Sequence, residues 1–265
     1  MKVVLFCGGL GTRIREYSES VPKPMIPVGH QPILWHIMNY YSDYGHRDFV
    51  LCLGYKANTI KEFFVNHRPQ LFSDLIVTGN GANVEVLGEQ KQDWRITLID
   101  TGIWRNIGGR LWAVREHVQN EEMFCANYSD GLTDVDLDDM IAKFKASGKV
   151  GCFLAVRPPL TYHLADIAPD GKVRDFVTSD RAEIWINGGY FLFKPEIFDY
   201  MREGEELVVE PFKRLIEEDK LMAYKHEGFF RSMDTLRDRQ ILEDMFEKGS
   251  MPWQVHGNGC NGAGD

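Results

Sequence analysis

Three glycines fall close together in Gly8-Gly9-Leu10-Gly11-Thr12-Arg13. Residues without a side chain let the backbone pass close to a ligand and turn its amides toward phosphate oxygens. Arg13 closes the run, and Lys23 follows in Pro22-Lys23-Pro24, where two prolines stiffen the chain around the ammonium. Alone, a glycine cluster reads equally well as a tight turn, and a lysine as a solvated side chain. Glycine loop, arginine and rigid lysine in succession point to phosphate chemistry.

Two other phosphate motifs can be checked against the same residues. A P-loop ends in Gly-Lys-Ser/Thr, whereas Gly11 is followed by Thr12-Arg13. The dinucleotide fingerprint needs a glycine where Ile14 stands and an acidic residue near position 31, and neither is present. Hydride transfer is therefore disfavoured. Two carboxylates stand in short motifs, Ser129-Asp130-Gly131 and Met233-Asp234-Thr235. Each also has a structural reading, Asp130 as a turn residue and Asp234 as the cap of the next helix. Asp134, Asp136, Asp138 and Asp139 read as the charged N-terminus of a helix rather than as metal ligands. The eight histidines show no ligand spacing, and the five cysteines contain no CxxC pair.

These residues need elements to position them. Val3 to Phe6 and Phe49 to Leu53 are continuous apolar runs, as strands buried on both faces would be. Between them, Pro32 to Tyr44 has helical spacing and stops at Gly45. Thr59 and Glu62 suggest a capping box ahead of a helix with Phe63 and Phe64. Arg95 to Asp100 alternates like a strand, Leu111 to Val118 looks helical, and Met123 to Tyr128 is a strand ending at Ser129-Asp130-Gly131. Strands separated by helices predict an α/β fold, a mostly parallel mixed sheet covered by helices. Ligands bind beyond the carboxyl ends of such strands, so Gly8-Gly9 and Asp130-Gly131 are expected to share one crevice.

After a helix at Asp136 to Ser147 come strands at Gly151 to Val156, Val173 to Val177 and Tyr190 to Phe193. Two amphipathic helices flank the strand Leu221 to Lys225. The expected organisation is one domain over 1–253, with a nucleotide-binding half at 1–135 and an acceptor-binding half at 136–253. The Gly- and Asn-rich tail 254–265 reads as disordered. A net charge of -9 argues against nucleic acid and anionic membrane as partners. The apolar start is too short for a signal peptide or a membrane span, which predicts a cytoplasmic protein.

With these motifs in hand, the sequence resembles the sugar-1-phosphate nucleotidyltransferases, whose signature is Gly-x-Gly-Thr-Arg followed by Pro-Lys. The closer likeness is to the glucose-1-phosphate cytidylyltransferase branch. It is carried by Lys23-Pro24-Met25-Ile26-Pro27-Val28-Gly29, Gln31 to Met38, Gly108-Gly109-Arg110-Leu111, Tyr128 to Gly131, Ile186 to Phe191 and Met233 to Asp238. The resemblance implies a Rossmann-like nucleotide-diphospho-sugar transferase fold over Met1 to Trp253. It implies that Gly8, Gly9, Gly11, Thr12 and Arg110 bind the nucleotide, CTP in this branch. Arg13 would grip the β and γ phosphates, Lys23 would neutralise charge at the α-phosphorus, and Asp130 and Asp234 would hold Mg2+. Asn187 and Gly188 would lie beside a phosphorylated acceptor, and the protein would be a homo-oligomer.

One stretch departs from the family. Its members carry Glu-Lys-Pro between the positions of Phe176 and Ile186, the lysine binding the acceptor's phosphate. Here Val177 to Trp185 contains no lysine. Arg181 and Arg157 are the candidate replacements, and Trp185 adds bulk. The acceptor is thus left open between glucose 1-phosphate, another sugar phosphate and a phosphorylated compound that is not a sugar. A regulatory homologue that binds nucleotide sugars without turnover is the alternative of another class. Retention of Arg13, Lys23, Asp130 and Asp234 counts against it.

Overall fold

The computed structural model describes residues 1–11, 21–66, 75–87, 93–158, 163–178 and 184–254. Thr12, Arg13, Arg181 and the tail from residue 255 lie outside the described residues. Strand β1 (Lys2–Phe6) shows why its apolar run is unbroken. Val3 and Leu5 enter one core while Val4 and Phe6 enter another on the opposite sheet face, as the alternation of a strand requires. Truncating any such fully buried side chain to alanine costs about 2–5 kcal/mol.

A hairpin of β2 (Pro27–Val28) and β3 (Gln31–Pro32) leads into helix α1 (Ile33–Asp43), which buries Ile33, Leu34, Ile37 and Met38 against the first core. Strand β4 (Asp48–Leu53) runs parallel to β1, and helix α2 (Ala57–Asn66) follows. Thr59 does not cap α2. The helix starts two residues earlier, at Ala57, whose amide donates to the Gly54 carbonyl. Next come a hairpin of β5 (Leu75–Thr78) and β6 (Asn83–Val86) and then β7 (Arg95–Asp100), parallel to β4. The helical stretch expected after it is two pieces, α3 (Ile107–Ala113) and α4 (Arg115–Val118), parted at Val114.

Strand β8 (Phe124–Asn127) lies parallel to β1 on its other side, and β9 (Gly131–Thr133) follows a turn. Asp136 caps α5 (Leu137–Ser147) by accepting from the Asp139 amide, so part of the acidic cluster serves the helix N-terminus. Strand β10 (Gly151–Val156), the hairpin β11 (His163–Ile167) and β12 (Val173–Thr178), and β13 (Ile186–Phe193) come next. β13 begins four residues before the predicted Tyr190: Asn187-Gly188-Gly189 reads like a turn, yet the strand runs through it with a shift of register against β10 and Gly189 at φ 76. Helix α6 (Glu210–Glu217), β14 (Leu221–His226), β15 (Phe230–Ser232) and α7 (Leu236–Glu247) complete the order.

The seven-stranded sheet has the order β14-β10-β13-β8-β1-β4-β7. Only β13 is antiparallel to its neighbours, pairing with β10 on one side and β8 on the other. Helices α1, α2, α5 and α7 supply side chains to the core on one face, and α3, α4 and α6 to the core on the other. Among the described residues no helix is long and apolar enough to cross a membrane.

Candidate active site

The chain leaves β8 through Ser129, which sits at φ 64 and donates its amide to Asn127 Oδ1 at 2.6 Å. This turn redirects Asp130 out of the main sheet and into a small one, where β9 pairs antiparallel with β15 and Gly131 faces Ser232. The Met233 amide extends that ladder by donating to the Asp130 carbonyl at 2.8 Å. Asp130 and Asp234 are brought together in this way. A short 3-10 turn, Lys23–Met25, anchored by buried Pro24, delivers Lys23 between them. Its Nζ donates to Asp130 Oδ2 at 2.7 Å and to Asp234 Oδ1 at 2.8 Å. Ser232 Oγ holds the other oxygen of Asp234 at 2.9 Å. Asp234 is therefore not the cap of α7. Thr235 is, in a capping box with Asp238. Burial lowers the pKa of Lys23, but the two carboxylates outweigh it and the net shift is upward. The ammonium stays charged across the physiological range.

The glycine loop divides by function. A Cβ on Gly8 would lie 2.0 Å from Arg110 Nη1 and 2.4 Å from its Cζ, so Gly8 is required by the arginine packed on it. Nothing lies within 4 Å of a Cβ on Gly9, and Gly11 takes φ 63. Arg110 departs from the direct nucleotide contact expected of it. It is 2% exposed. Its Nη1 donates to the Leu53 carbonyl, Thr101 Oγ1 and the Gly102 carbonyl, and its Nη2 to the Gly8 and Ile103 carbonyls. With these donors committed, Arg110 sets the course of the loop instead of pointing into the ligand space.

A cleft of about 440 Å3 opens beside the lysine and the glycines. Of the residues singled out in the sequence, Gly9, Gly11, Lys23 and Asp130 border it, and Phe6, Leu10, Pro24, Ile107, Tyr128, Glu206 and Val208 complete the wall. Burial pushes the Tyr128 phenol above its ordinary range, so it remains protonated. The phenol oxygen accepts from Asn187 Nδ2 at 3.2 Å. Burial also raises the Glu206 carboxyl, which accepts from the Leu207 amide at 3.1 Å. Sequence reasoning missed Ile107, Glu206 and Val208, and no local signal marks them, since only the packing of the second core brings them to the first strand's end. Tyr128 did carry a signal: it directly precedes Ser129-Asp130. Gly188 is buried between the Leu154 carbonyl and Phe230, which gives it a packing role.

A second depression, about 720 Å3, lies beyond the ends of β10 and β14 and is lined by Arg157, Trp185, Lys225, His226 and Glu227. Arg157 was expected near an acceptor, and Lys225 carries no sequence signal at all. The guanidinium carbon of Arg157 stands 4.1 Å from the centre of the Trp185 ring.

The sequence profile described as nucleotidyl transferase matches residues 2–230. The glucose-1-phosphate cytidylyltransferase of Salmonella typhimurium is 40% identical over 257 residues, covering 96% of this chain and 99% of that protein. A probable glucose-1-phosphate cytidylyltransferase of Bacillus subtilis is 32% identical over 257 residues, covering 96% of this chain and all of its own length. Among solved structures, a UTP-bound UGPase from Acinetobacter baumannii superposes with a TM-score of 0.69 at 15% identity, covering 96% of this chain and 95% of its own. HddC from Yersinia pseudotuberculosis, complexed with GMP-PN, gives 0.63 at 21% identity over 92% of this chain and 99% of its own. At those identities the two structures speak for the fold alone.

Proposed function

The chain belongs to the nucleotidyl transferase family, and from that premise we propose that it moves CMP from CTP to a phosphorylated small molecule, in the first place a sugar 1-phosphate, releasing pyrophosphate. The observation that carries this reading is the Lys23 ammonium shared by Asp130 and Asp234 at the edge of the cleft bordered by the glycine loop. Two carboxylates converging on one cation suit Mg2+, a hard ion held by one or two carboxylates together with substrate phosphates. Asp130 and Asp234 would hold it, and it would neutralise charge on the triphosphate.

In this reading Lys23 exchanges its carboxylate partners for an oxygen on the α-phosphorus. An oxygen of the acceptor's phosphate attacks that phosphorus, and the bond to the β-phosphate oxygen breaks with its electron pair leaving in pyrophosphate. A phosphate monoester is already largely dianionic at neutral pH, so no general base has to remove a proton. The chain's task is alignment and charge neutralisation. Gly9 and Gly11 would approach the nucleotide, while Tyr128 and Asn187 would face the acceptor. Thr12 and Arg13 enter this reading from the family resemblance alone.

The test is pyrophosphate release from a panel of nucleoside triphosphates crossed with phosphorylated acceptors. Release with CTP and a sugar 1-phosphate, lost on chelation of Mg2+, is the expected result. Asp130→Ala should abolish turnover far more than it weakens CTP binding. Nucleotide binding with no release from any pair would overturn the proposal in favour of a regulatory protein.

A further inference from the structure

Glu206 stands in the cleft wall without a task in the chemistry above. It comes from the loop that precedes α6, and that loop is clamped against the start of α3. Asn106 Nδ2 donates to the Gly204 and Glu205 carbonyls at 3.1 and 3.0 Å, and a Cβ on Gly108 would lie 2.3 Å from the Glu205 carbonyl oxygen. Leu207 is sunk in the second core. The half-buried Glu206 carboxylate is fixed in turn. Its Oε1 accepts from the Leu207 amide at 3.1 Å, and the Ile107 amide is a second donor to it. Two amides bonded to the carboxylate favour its ionised form.

Lys23 and Glu206 mark opposite ends of the cleft. Ile26 and Leu132, near Lys23 and Asp130, belong to the first core, whereas Ile107 and Leu207 belong to the second. The cleft therefore crosses the end of β1 from one sheet face to the other. Charge gives a bound nucleotide a direction along it. A carboxylate repels phosphates, so the triphosphate lies at the Lys23 end and the uncharged nucleoside at the Glu206 end. Around Glu206 the wall is apolar, made by Phe6, Leu10, Ile107 and Val208. Such a wall suits a flat base and offers a polyhydroxy acceptor little to bond to.

An ionised carboxylate only accepts, and its two oxygens offer about four sites. The Leu207 and Ile107 amides leave part of that capacity to the cleft. Cytosine and uracil differ in what they present to it. Cytosine carries an amino donor at position 4 and uracil a carbonyl acceptor, so a carboxylate bonds to the first and repels the second. We propose that Glu206 reads the base by accepting from the 4-amino group of cytosine, which makes it the residue that selects CTP against UTP. This rests on the transferase reading of the cleft and deepens it, tying the choice of base to one side chain.

Kinetics with CTP, UTP and dCTP, each with glucose 1-phosphate and Mg2+, test it in the wild type and in Glu206→Gln. The wild type should prefer CTP over UTP by about tenfold or more in kcat/KM, the range of a good base-edge contact. Glutamine keeps the size and one acceptor oxygen but adds an amide donor that suits the carbonyl of uracil. The preference should therefore fall to near unity, while the ratio of CTP to dCTP and the acceptor KM stay as in the wild type. Equal use of CTP and UTP by the wild type, or a preference that survives the substitution, overturns the assignment. A loss shared equally by both triphosphates overturns it too, since Glu206 would then only support its loop. So does a change confined to dCTP or to the acceptor KM, which would aim the carboxylate at a hydroxyl. Should Glu206→Gln fold poorly, Glu206→Asp keeps the charge, withdraws it by one methylene and should likewise lower the preference. Calorimetric titration with CTP and with UTP, in the absence of acceptor, reads the base contact independently of turnover. Tighter binding of CTP that Glu206→Gln abolishes supports it, and equal binding overturns it. That binding pattern without any pyrophosphate release would overturn the transferase reading alone.

Discussion

At Lys23 one ammonium faces two carboxylates that would repel each other without it. Its side chain is only 12% exposed, so solvent screens the arrangement weakly. Lys23→Ala should lower kcat about a hundredfold or more, by analogy with loss of a single charge-stabilising donor, in the pyrophosphate-release assay. It should also leave the two aspartates competing less with an internal cation, so Mg2+ should raise the melting temperature of the variant more than that of the wild type. The pH dependence follows from the sign of the shift. The native pKa of Lys23 lies above that of the unfolded chain, so its stabilising effect is complete below about pH 10 and is lost as pH rises through the raised native value. Thermal melts from neutral to strongly alkaline pH should show this loss in the wild type and a weaker one in Lys23→Ala. Lys23, Asp130 and Asp234 could be picked out from sequence because each falls in a motif. Arg110 was picked out too, but its burial under five protein acceptors depends on the ends of three strands, which no local pattern records.

Among the elements, the glycine loop shows how neighbouring glycines answer to different demands. Gly8→Ala would force a methyl onto the Arg110 head and should destabilise the protein by about 1–3 kcal/mol, as overpacking does. Gly9→Val meets open space, so it should fold with near wild-type stability and lose CTP affinity. Chemical denaturation together with CTP titration distinguishes the two. The strands of the main sheet were legible because apolar runs buried on both faces leave an unbroken pattern. The small sheet was half legible. β15 is only Phe230-Arg231-Ser232, too short for any period, and it exists because it pairs with β9. The expected box at Thr59 fails for a related reason: the preceding Gly54 carbonyl accepts from Ala57 and starts the helix early.

On the scale of the whole molecule, the two cores and the sheet between them keep certain histidines neutral. Burial lowers the pKa of His36, whose Nε2 lies 2.9 Å from the Val28 carbonyl. Burial, and then the nearby amino terminus, lower His46 to about 4. The unfolded chain binds protons at both near pH 6.5, so stability should decline as pH falls below that value and go on declining toward 4. His46→Gln should shift the acid unfolding midpoint downward, measured by circular dichroism. The same scale gives the Arg110 cluster its wider meaning. Its acceptors join the ends of β1, β4 and β7, and four of the five are main-chain carbonyls, of Gly8, Leu53, Gly102 and Ile103. Main-chain oxygens persist whatever side chain a position acquires. Most of the contacts that Arg110 makes are thus insulated from substitution at the partner positions, and the fragility of the cluster is gathered into one codon, that of Arg110.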